Sequence, residues 1–355
     1  MLIRSACYKI LLLFFLLIDS GIQLYAFQNN VKASPPDYLV TVEPNLYIGR
    51  IYNIDLVDES YQIDGSLSYT WFDERLIYDP KSSSTFLTYK DGEAENLMRS
   101  EIWVPALEFI NIQSSRETNG LEITVKPDGK VIYTEHFSGT FHTQMQSEKY
   151  PFDSKTFLIE IEPFLYNKET LKFGSSLLLP EKDSLMNLNL GDSWMLTNTS
   201  SRIDSTIYDQ YSDLRSGVES STFSKIIFEV QAKRNHRYYI LHLLIPTLLI
   251  ALISFMIFWI QHFRAQIFIG ITSLSAMIFL IVYSAPDIPK LPYNTFIEYI
   301  FIIGNLFILF GIIAAVANHR FLKSSQRKFD LLKICRRIIP LTFLLVLVAV
   351  TSFIF

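Results

Sequence analysis

One stretch in the second half of the chain combines apolar residues with regularly spaced hydroxyl side chains. Residues 266–292 read QIFIGITSLSAMIFLIVYSAPDIPKLP, which is long enough to cross a bilayer at about 1.5 Å per residue. At helical spacing one face carries Phe268, Thr272, Ser275, Phe279 and Val282. This mixture of side chains that water wets and rings that water avoids is what the wall of a gated ion pathway needs. The alternative is a buried helix whose hydroxyls bond to its own carbonyls.

Length and composition predict two parts. The chain has 355 residues, enough for about two domains, and 50% of them are hydrophobic, with the apolar residues concentrated after residue 237. No basic patch with interleaved aromatics occurs before that point, so nucleic acid is not an expected partner. The two cysteines, Cys7 and Cys335, have no metal-ligand spacing with histidines, so neither a metal nor a cofactor is expected.

The first 26 residues have the pattern of a secretory signal peptide. Arg4 and Lys9 give a positive start, the apolar run after Lys9 is too short to span a membrane, and Ala26 is a suitable cleavage residue. An uncleaved anchor is the alternative. With either one, the segment that follows is exported.

Residues 27–237 carry the patterns of many short strands. The run TFLIEIEP (156–163) alternates, with Glu160 and Glu162 on one face and apolar residues on the other. Further strand patterns occur at 42–57, 121–137 and 224–233, and 121–137 contains Pro127-Asp128-Gly129, a hairpin signal. No long amphipathic helix is evident. The patterns predict an extracellular all-β, immunoglobulin-like sandwich.

Four apolar segments follow, each of the length that a membrane-spanning helix needs. They are residues 238–260, 266–285, 296–317 and 338–355. The connection 319–337 contains Lys and Arg in excess over its one acidic residue, Asp330, which indicates a cytoplasmic location. An exported first domain followed by four spans gives the same orientation. Residues 238–355 are therefore predicted to form a four-helix transmembrane bundle.

Several motifs resemble those of the pentameric ligand-gated ion channels, the Cys-loop receptor family. The segments that match its markers are TWFDERL (70–76), EIWVPALEFIN (101–111) and EKYPFDSKTF (148–157). The match to the aromatic-Pro-Phe-Asp turn of the family falls on Tyr150, Pro151, Phe152 and Asp153. The resemblance extends from about residue 40 to the last span, and it implies the fold predicted above.

Other positions refine this resemblance. Arg234 matches the arginine before the first span of the family, and Pro246 matches the proline within that span. Thr143 and Phe157 stand where eukaryotic members have their paired cysteines, as in the prokaryotic branch. The segments 162–167, 289–298 and 317–320 are similar to the amine-gated bacterial members of that branch.

The resemblance implies a homopentamer that binds a small-molecule agonist between neighbouring extracellular domains. The implied ligand-binding residues are Glu108, Phe164, Tyr208, Tyr211 and Phe223 on one face, and Tyr47, Ser66 and Lys130 on the other. Each aromatic face attracts a cation by about 0.5 to 2 kcal/mol, and a carboxylate adds charge complementarity, so a primary amine is the expected agonist. Lys130 would instead favour a zwitterion or an acid. For each aromatic residue, packing in the domain core is the alternative.

The resemblance also implies coupling and pore positions. The implied coupling residues are Tyr150, Pro151, Phe152, Asp153, Arg234 and Pro289, and Pro286 joins the five residues of the helical face as a pore-lining residue. Phe279 is the expected hydrophobic barrier. The relatives imply cation selectivity. However, the residues before the pore helix include Arg264 and no acid, and Arg264 either faces the pore axis or reaches the headgroups.

These inferences predict a ligand-gated ion channel of the bacterial inner membrane with its β domain in the periplasm. Its partners are inorganic ions and the lipid bilayer. It is not expected to be an enzyme, because no nucleophile elbow, phosphate loop or zinc-helix motif occurs. The alternatives are a proton-gated channel of the same family, a non-conducting receptor that signals through residues 319–337, and a transporter or membrane enzyme.

Overall fold

The computed structural model of the chain describes residues 34–80, 86–179, 190–191, 193–208, 221–324 and 331–354. The predicted signal peptide and the predicted ligand-binding residue Tyr211 lie outside the described residues. Within them, an all-β domain is followed by four long helices. This is the predicted fold class, an extracellular sandwich followed by a membrane helix bundle.

Eleven strands and one short α-helix, together with a 3-10 helix at Glu74–Leu76, form the described part of the first domain. They are β1 (Val40–Asp55), β2 (Ser60–Phe72), β3 (Leu87–Lys90), α1 (Asp91–Ser100), β4 (Leu107–Phe109), β5 (Glu117–Val125), β6 (Lys130–His142), β7 (Ser154–Pro163), β8 (Leu171–Phe173), β9 (Leu177–Leu179), β10 (Trp194–Tyr208) and β11 (Ser221–Arg234). Five of these strands (β1, β5, β6, β7 and β11) overlap the four strand patterns of the sequence, and β5 and β6 form the predicted hairpin.

The strands form two sheets that enclose the core. One has the order β3-β5-β6-β2-β1-β8, with β9 also paired to β1, and the other has the order β10-β11-β7-β4. Along β7 the apolar residues Phe157, Ile159 and Ile161 are fully buried between the sheets, as the alternation predicts. Glu160 is partly exposed on the opposite face, whereas Glu162 on that same face is buried. Glu162 therefore lies on the predicted face of β7, but other parts of the domain cover it.

The helix α1 was not anticipated from the sequence. It buries only Ala94 and Leu97, which are three residues apart on one face. Ten residues with two buried positions give a helical periodicity too weak to recognise.

Four helices are long and apolar enough to cross a membrane. We number them α2 (Arg237–Phe258), α3 (Phe263–Ser284), α4 (Phe296–Ser324) and α5 (Leu331–Ile354). The turn of α2 before Pro246 is a π-helix, Ile240–Leu244. Proline lacks an N–H and clashes with the carbonyl one turn before it, which accounts for this local widening.

Candidate functional site

Three carboxylates meet on the outer face of the second sheet, near the end of β7. Glu108 on β4 lies directly opposite Glu162 on β7, so the two side chains share one face with Cβ atoms about 5 Å apart. Glu160 lies two residues before Glu162 on the same face. Lys225 on β11 contacts Glu160, and its Nζ lies 3.8 Å from Oε1 of Glu162. The patch contains three acidic groups and one basic group, which makes it net negative.

Aromatic residues stand beside this carboxylate patch. The hydroxyl of Tyr208 donates to Oε2 of Glu162 at 2.9 Å, and the ring of Tyr208 packs edge-on against Phe223 with centroids 5.7 Å apart. Thr206 donates a second hydrogen bond to Glu162. Burial, and next the hydrogen bond to Glu162, raise the pKa of Tyr208 to about 12, so the phenol stays neutral and keeps donating.

Phe164 follows directly on β7 and presents 49% of its surface to solvent. Its backbone N–H donates to the carbonyl of Ala106 at 2.7 Å, which fixes the chain just before β4. Phe164, Tyr208 and Phe223 thus lie at one end of the same sheet as Glu108. The sequence missed Glu160, Glu162 and Lys225 as members of this site. The signal for the two glutamates was present, because both precede Phe164 on the polar face of the strand.

Tyr47 and Ser66 are neighbours on the first sheet, where β1 pairs with β2. They line a groove of about 490 Å³ whose walls include His136 and the Arg50–Asp64 ion pair. The backbone of Tyr47 lies very close to Gly65, because a Cβ at residue 65 would lie 2.6 Å from the carbonyl oxygen of Tyr47. Glycine is therefore required for this part of the groove.

Lys130 does not share this groove. It pairs with Phe72 at the far end of β2, whereas Ser66 pairs with His136, six residues further along β6. At about 3.3 Å per residue, Lys130 and Ser66 are about 20 Å apart along the sheet. The prediction that Lys130 and Ser66 border one small ligand in the same subunit is therefore wrong, because Lys130 on β6 lies beside the end of β2, whereas Ser66 lies in the middle of β2.

The opposite end of the domain carries a buried network of charged residues. Arg234 donates to Asp153 with Nε–Oδ1 and Nη2–Oδ2 distances of 2.7 and 3.3 Å. Lys155 lies 3.0 Å from Oδ2 of the same carboxylate. Burial alone would raise the pKa of Asp153, but the hydrogen bonds and charges of Arg234 and Lys155 outweigh it and lower that pKa. Asp153 is therefore a carboxylate shared by two cations.

The turn at Tyr150 joins this network to the membrane helices. The ring of Tyr150 lies 4.8 Å from the Arg234 guanidinium carbon, and its hydroxyl donates to the carbonyl of Asp287. Phe152 packs against Phe296 at the start of α4 with ring centroids 5.7 Å apart. The turn thus contacts both ends of the α3–α4 connection, in which Pro286 and Pro289 restrict the backbone.

The helix α3 leaves one face open along its whole length. Phe268, Phe279 and Val282 expose 71%, 72% and 67% of their surfaces, and Thr272, Ser275 and Pro286 are also exposed. The opposite face, with Gly270, Ser273 and Met277, is buried within the subunit. Thr272 bonds back to the carbonyl of Phe268 at 2.8 Å. A single subunit therefore presents the six residues predicted to line the pore to its surroundings.

Arg264 extends this open face by one turn at the inner end of α3. It lies four residues before Phe268 and is exposed. No acidic residue precedes it in the described segment between α2 and α3.

Within the described ranges, no group of three or more His, Cys, Asp or Glu side chains is arranged to hold a metal ion. The open face of α3 and the net negative aromatic patch are the two features that invite a chemical interpretation.

Comparison with known proteins agrees with this geometry. Residues 23–236 match the sequence profile of the neurotransmitter-gated ion-channel ligand binding domain. A proton-gated ion channel of Gloeobacter violaceus is 26% identical over 322 residues, covering 90% of this chain and 85% of that protein. The pH-sensitive chloride channel 2 of Anopheles gambiae is 25% identical, with 83% of this chain and 48% of the relative covered. The mouse gamma-aminobutyric acid receptor subunit rho-1 is 23% identical, with 81% and 58% covered. The chain thus spans about half the length of the two animal relatives.

Proposed function

Because this chain belongs to the neurotransmitter-gated ion-channel family, we propose that it forms a homopentamer opened by a small primary amine bound between neighbouring extracellular domains. The chain is a ligand-gated ion channel of the membrane, with an extracellular β domain and four helices that cross the bilayer. The amine and the homopentamer are the proposed parts.

The net negative patch beside aromatic rings carries the proposal of an amine. Each aromatic face and each uncompensated carboxylate attracts an ammonium group electrostatically. Glu108 is the exposed carboxylate among the three. Glu162 has a different role, because it is buried and holds Tyr208 and Thr206 in place. An anionic ligand would meet three carboxylates and one ammonium, and would be repelled.

The proposal is tested by two ligands of equal size and different charge. Currents are recorded from oocytes at constant pH 7.4 while n-propylamine or n-propanol is applied. We expect current with the amine only, and we expect Glu108→Gln to require about tenfold more amine. Lys172→Gln, at a residue on the short strand β8, serves as the control for a surface substitution. A response to propanol equal to that with propylamine would contradict the proposal.

The position of Arg264 supports anions as the permeating ions. In a homopentamer with the open faces of α3 around one axis, five Arg264 side chains would ring the inner mouth, and the ring charge selects the opposite ion sign. The resemblance to bacterial channels favours cations instead. We give the guanidinium more weight, because Arg264 lies on the open face of α3, whereas Asp287 lies beyond the end of that helix.

Ion sign is measured by reversal potential in planar bilayers with a tenfold KCl gradient. A perfectly selective channel reverses about 59 mV from zero, and the sign of the voltage identifies chloride or potassium. We expect reversal on the chloride side. Reversal on the potassium side would refute the assignment to Arg264 while leaving the channel and its ligand intact.

Gating by protons is the second candidate function, and two separate observations support it. The relative from Gloeobacter violaceus is a proton-gated ion channel, and a buried carboxyl group in this chain has a shifted pKa. Burial of Glu135 raises its pKa, outweighing the opposing effects of Arg116 at 3.0 Å and of the Tyr133 hydroxyl at 2.8 Å. Tyr69 stacks on Tyr133 from the neighbouring strand.

A step from pH 7.4 to pH 5 without amine separates the two candidates. Proton gating predicts a current at pH 5 in the wild type, and Glu135→Gln should reduce that current or change the pH at which it is half-maximal. Amine gating predicts little current in the wild type after the pH step. A pentamer at the cell surface that responds to neither stimulus would support the non-conducting receptor instead.

A further inference from the structure

Lys155 is a buried lysine whose ammonium group is fully satisfied. Its side chain is 2% exposed. An ammonium group has three N–H donors, and three acceptors surround this one: Oδ2 of Asp153 at 3.0 Å, Oγ of Ser147 at 2.6 Å and the carbonyl of Gln146. A buried cation is costly unless it is paired in this way, so the arrangement fixes the three groups relative to one another.

The segment that Lys155 holds is the one that contacts the membrane helices. The backbone N–H of Ser147 donates to the hydroxyl of Tyr293 at 3.0 Å, and Tyr293 lies in the α3–α4 connection. One residue further on, the carbonyl of Glu148 accepts the N–H of Phe296 at 2.9 Å, at the first residue of α4. Residues 146–148 therefore help to hold the connection in place, together with Tyr150.

Lys155 is also linked to β11, the strand that leads into the first membrane helix. It shares Asp153 with Arg234, the last residue of β11. The guanidinium of Arg234 also lies 4.1 Å from the ring of Trp194 at the start of β10. A continuous chain of contacts thus leads from Arg234 through Asp153, Lys155 and Ser147 to Tyr293.

We propose that Lys155 is a coupling residue, which transmits displacement of the β7–β11 sheet to the α3–α4 connection through Ser147 and Tyr293. The inference rests on the proposed function, opening of a homopentamer by its stimulus, and adds to it a named relay. Without the ammonium group, residues 146–148 keep their contacts to the connection but lose the link to Asp153 that Lys155 provides. Movement of the sheet then reaches the pore helix less effectively.

The test compares Lys155→Met, Tyr293→Phe and the double variant. In the wild type the current is evoked by n-propylamine, or by pH 5 if protons are the stimulus, because the relay lies downstream of either sensor. We expect each single variant to raise the half-maximal stimulus about tenfold and the double variant to raise it no further, because both interrupt one chain of contacts. Lys233→Met is the matched control, because Lys233 is exposed and adjacent to Arg234.

Hydrogen exchange on the purified pentamer gives a readout that needs no ligand. We expect peptides covering residues 286–295 to exchange about tenfold faster in Lys155→Met than in the wild type or in Lys233→Met. If Lys155→Met does not assemble, Ser147→Ala removes one acceptor and leaves both ion pairs of Asp153 in place, and it should give about threefold faster exchange.

Two results would overturn the relay. One is unchanged exchange of residues 286–295 in Lys155→Met or Ser147→Ala, and the other is a double variant whose effect equals the product of the single effects. A wild type that gives no current with either stimulus would count against the proposed function, and the exchange comparison would still decide the relay.

Discussion

Because two cations share Asp153, loss of its carboxylate should destabilise the pentamer more than loss of either cation. Asp153→Asn leaves Arg234 and Lys155 buried beside each other with no counter-charge. Arg234→Gln leaves Asp153 paired with Lys155 at 3.0 Å, and Lys155→Met leaves it paired with Arg234. A simple Asp153–Arg234 pair would instead respond about equally to the loss of either partner.

The magnitudes follow from these leftover charges. Leaving a buried charge without its partner costs about 3–5 kcal/mol, and Asp153→Asn leaves two such charges, so we expect at least the upper value. Each lysine or arginine substitution leaves an ion pair with no net charge. It removes hydrogen bonds to a charged group, and that loss costs about 1.5–3 kcal/mol. At about 2 °C per kcal/mol for a long chain, the melting temperature falls by about 10 °C for Asp153→Asn and by about 3–6 °C for the others.

The assay heats detergent-purified pentamers at one scan rate and follows the pentamer peak by size-exclusion chromatography. The double variant Asp153→Asn with Lys155→Met removes one of the two stranded cations. We therefore expect it to be more stable than Asp153→Asn alone, by about half of the loss. Lys233→Met should have the same melting temperature as the wild type, because the side chain of Lys233 is exposed.

The reasoning is refuted if Asp153→Asn and Arg234→Gln lower the melting temperature equally. It is also refuted if removing Lys155 in the Asp153→Asn background destabilises the pentamer further. Either outcome would mean that Lys155 does not share the carboxylate of Asp153 in the folded pentamer.

Further predictions concern the ligand, the pore and the pH dependence of stability. Glu162→Gln should raise the half-maximal amine concentration about tenfold, because the weaker acceptor releases Tyr208, and dose-response currents measure this. Arg264→Glu should move the reversal potential in a KCl gradient from the chloride to the potassium side, and an unchanged sign would contradict the ring. Phe279→Ala should leak without agonist, measured as holding current, because a smaller side chain no longer excludes water. The folded state raises the pKa of Glu135 above 4.5 and binds the extra proton, so stability falls as pH rises from 4.5 through the folded pKa. Glu135→Gln should remove that part of the decline, and an unchanged melting profile between pH 4 and pH 7 would contradict it.

Alternation and hydropathy were sufficient to predict the architecture. Phe157, Ile159 and Ile161 enter the core as a period of two requires, and the four apolar segments became four long helices. These features depend on which side chains are buried away from water, and the spacing of apolar residues in the sequence indicates that directly. The helix α1 was missed because two buried residues contribute too little to the periodicity.

The candidate site was less predictable, because it depends on register between strands that are far apart in sequence. The burial of Glu162 follows from Tyr208 and Thr206 on another strand, which close over it. Lys130 and Ser66 both belong to the first sheet, and only the β2–β6 register reveals their separation. Lys155 follows Asp153 by two residues and was not singled out from the sequence, because its burial arises from contacts with the loop at residues 146–147.

The most direct test of the proposed function is the amine-evoked current of the wild type compared with Phe164→Ala at constant pH 7.4. The account predicts a current with n-propylamine in the wild type and its loss in Phe164→Ala, with equal amounts of both proteins at the cell surface by biotinylation. Equal amine currents in the two proteins would contradict the proposed binding site. A wild type that opens at pH 5 but never with an amine would contradict the proposed ligand.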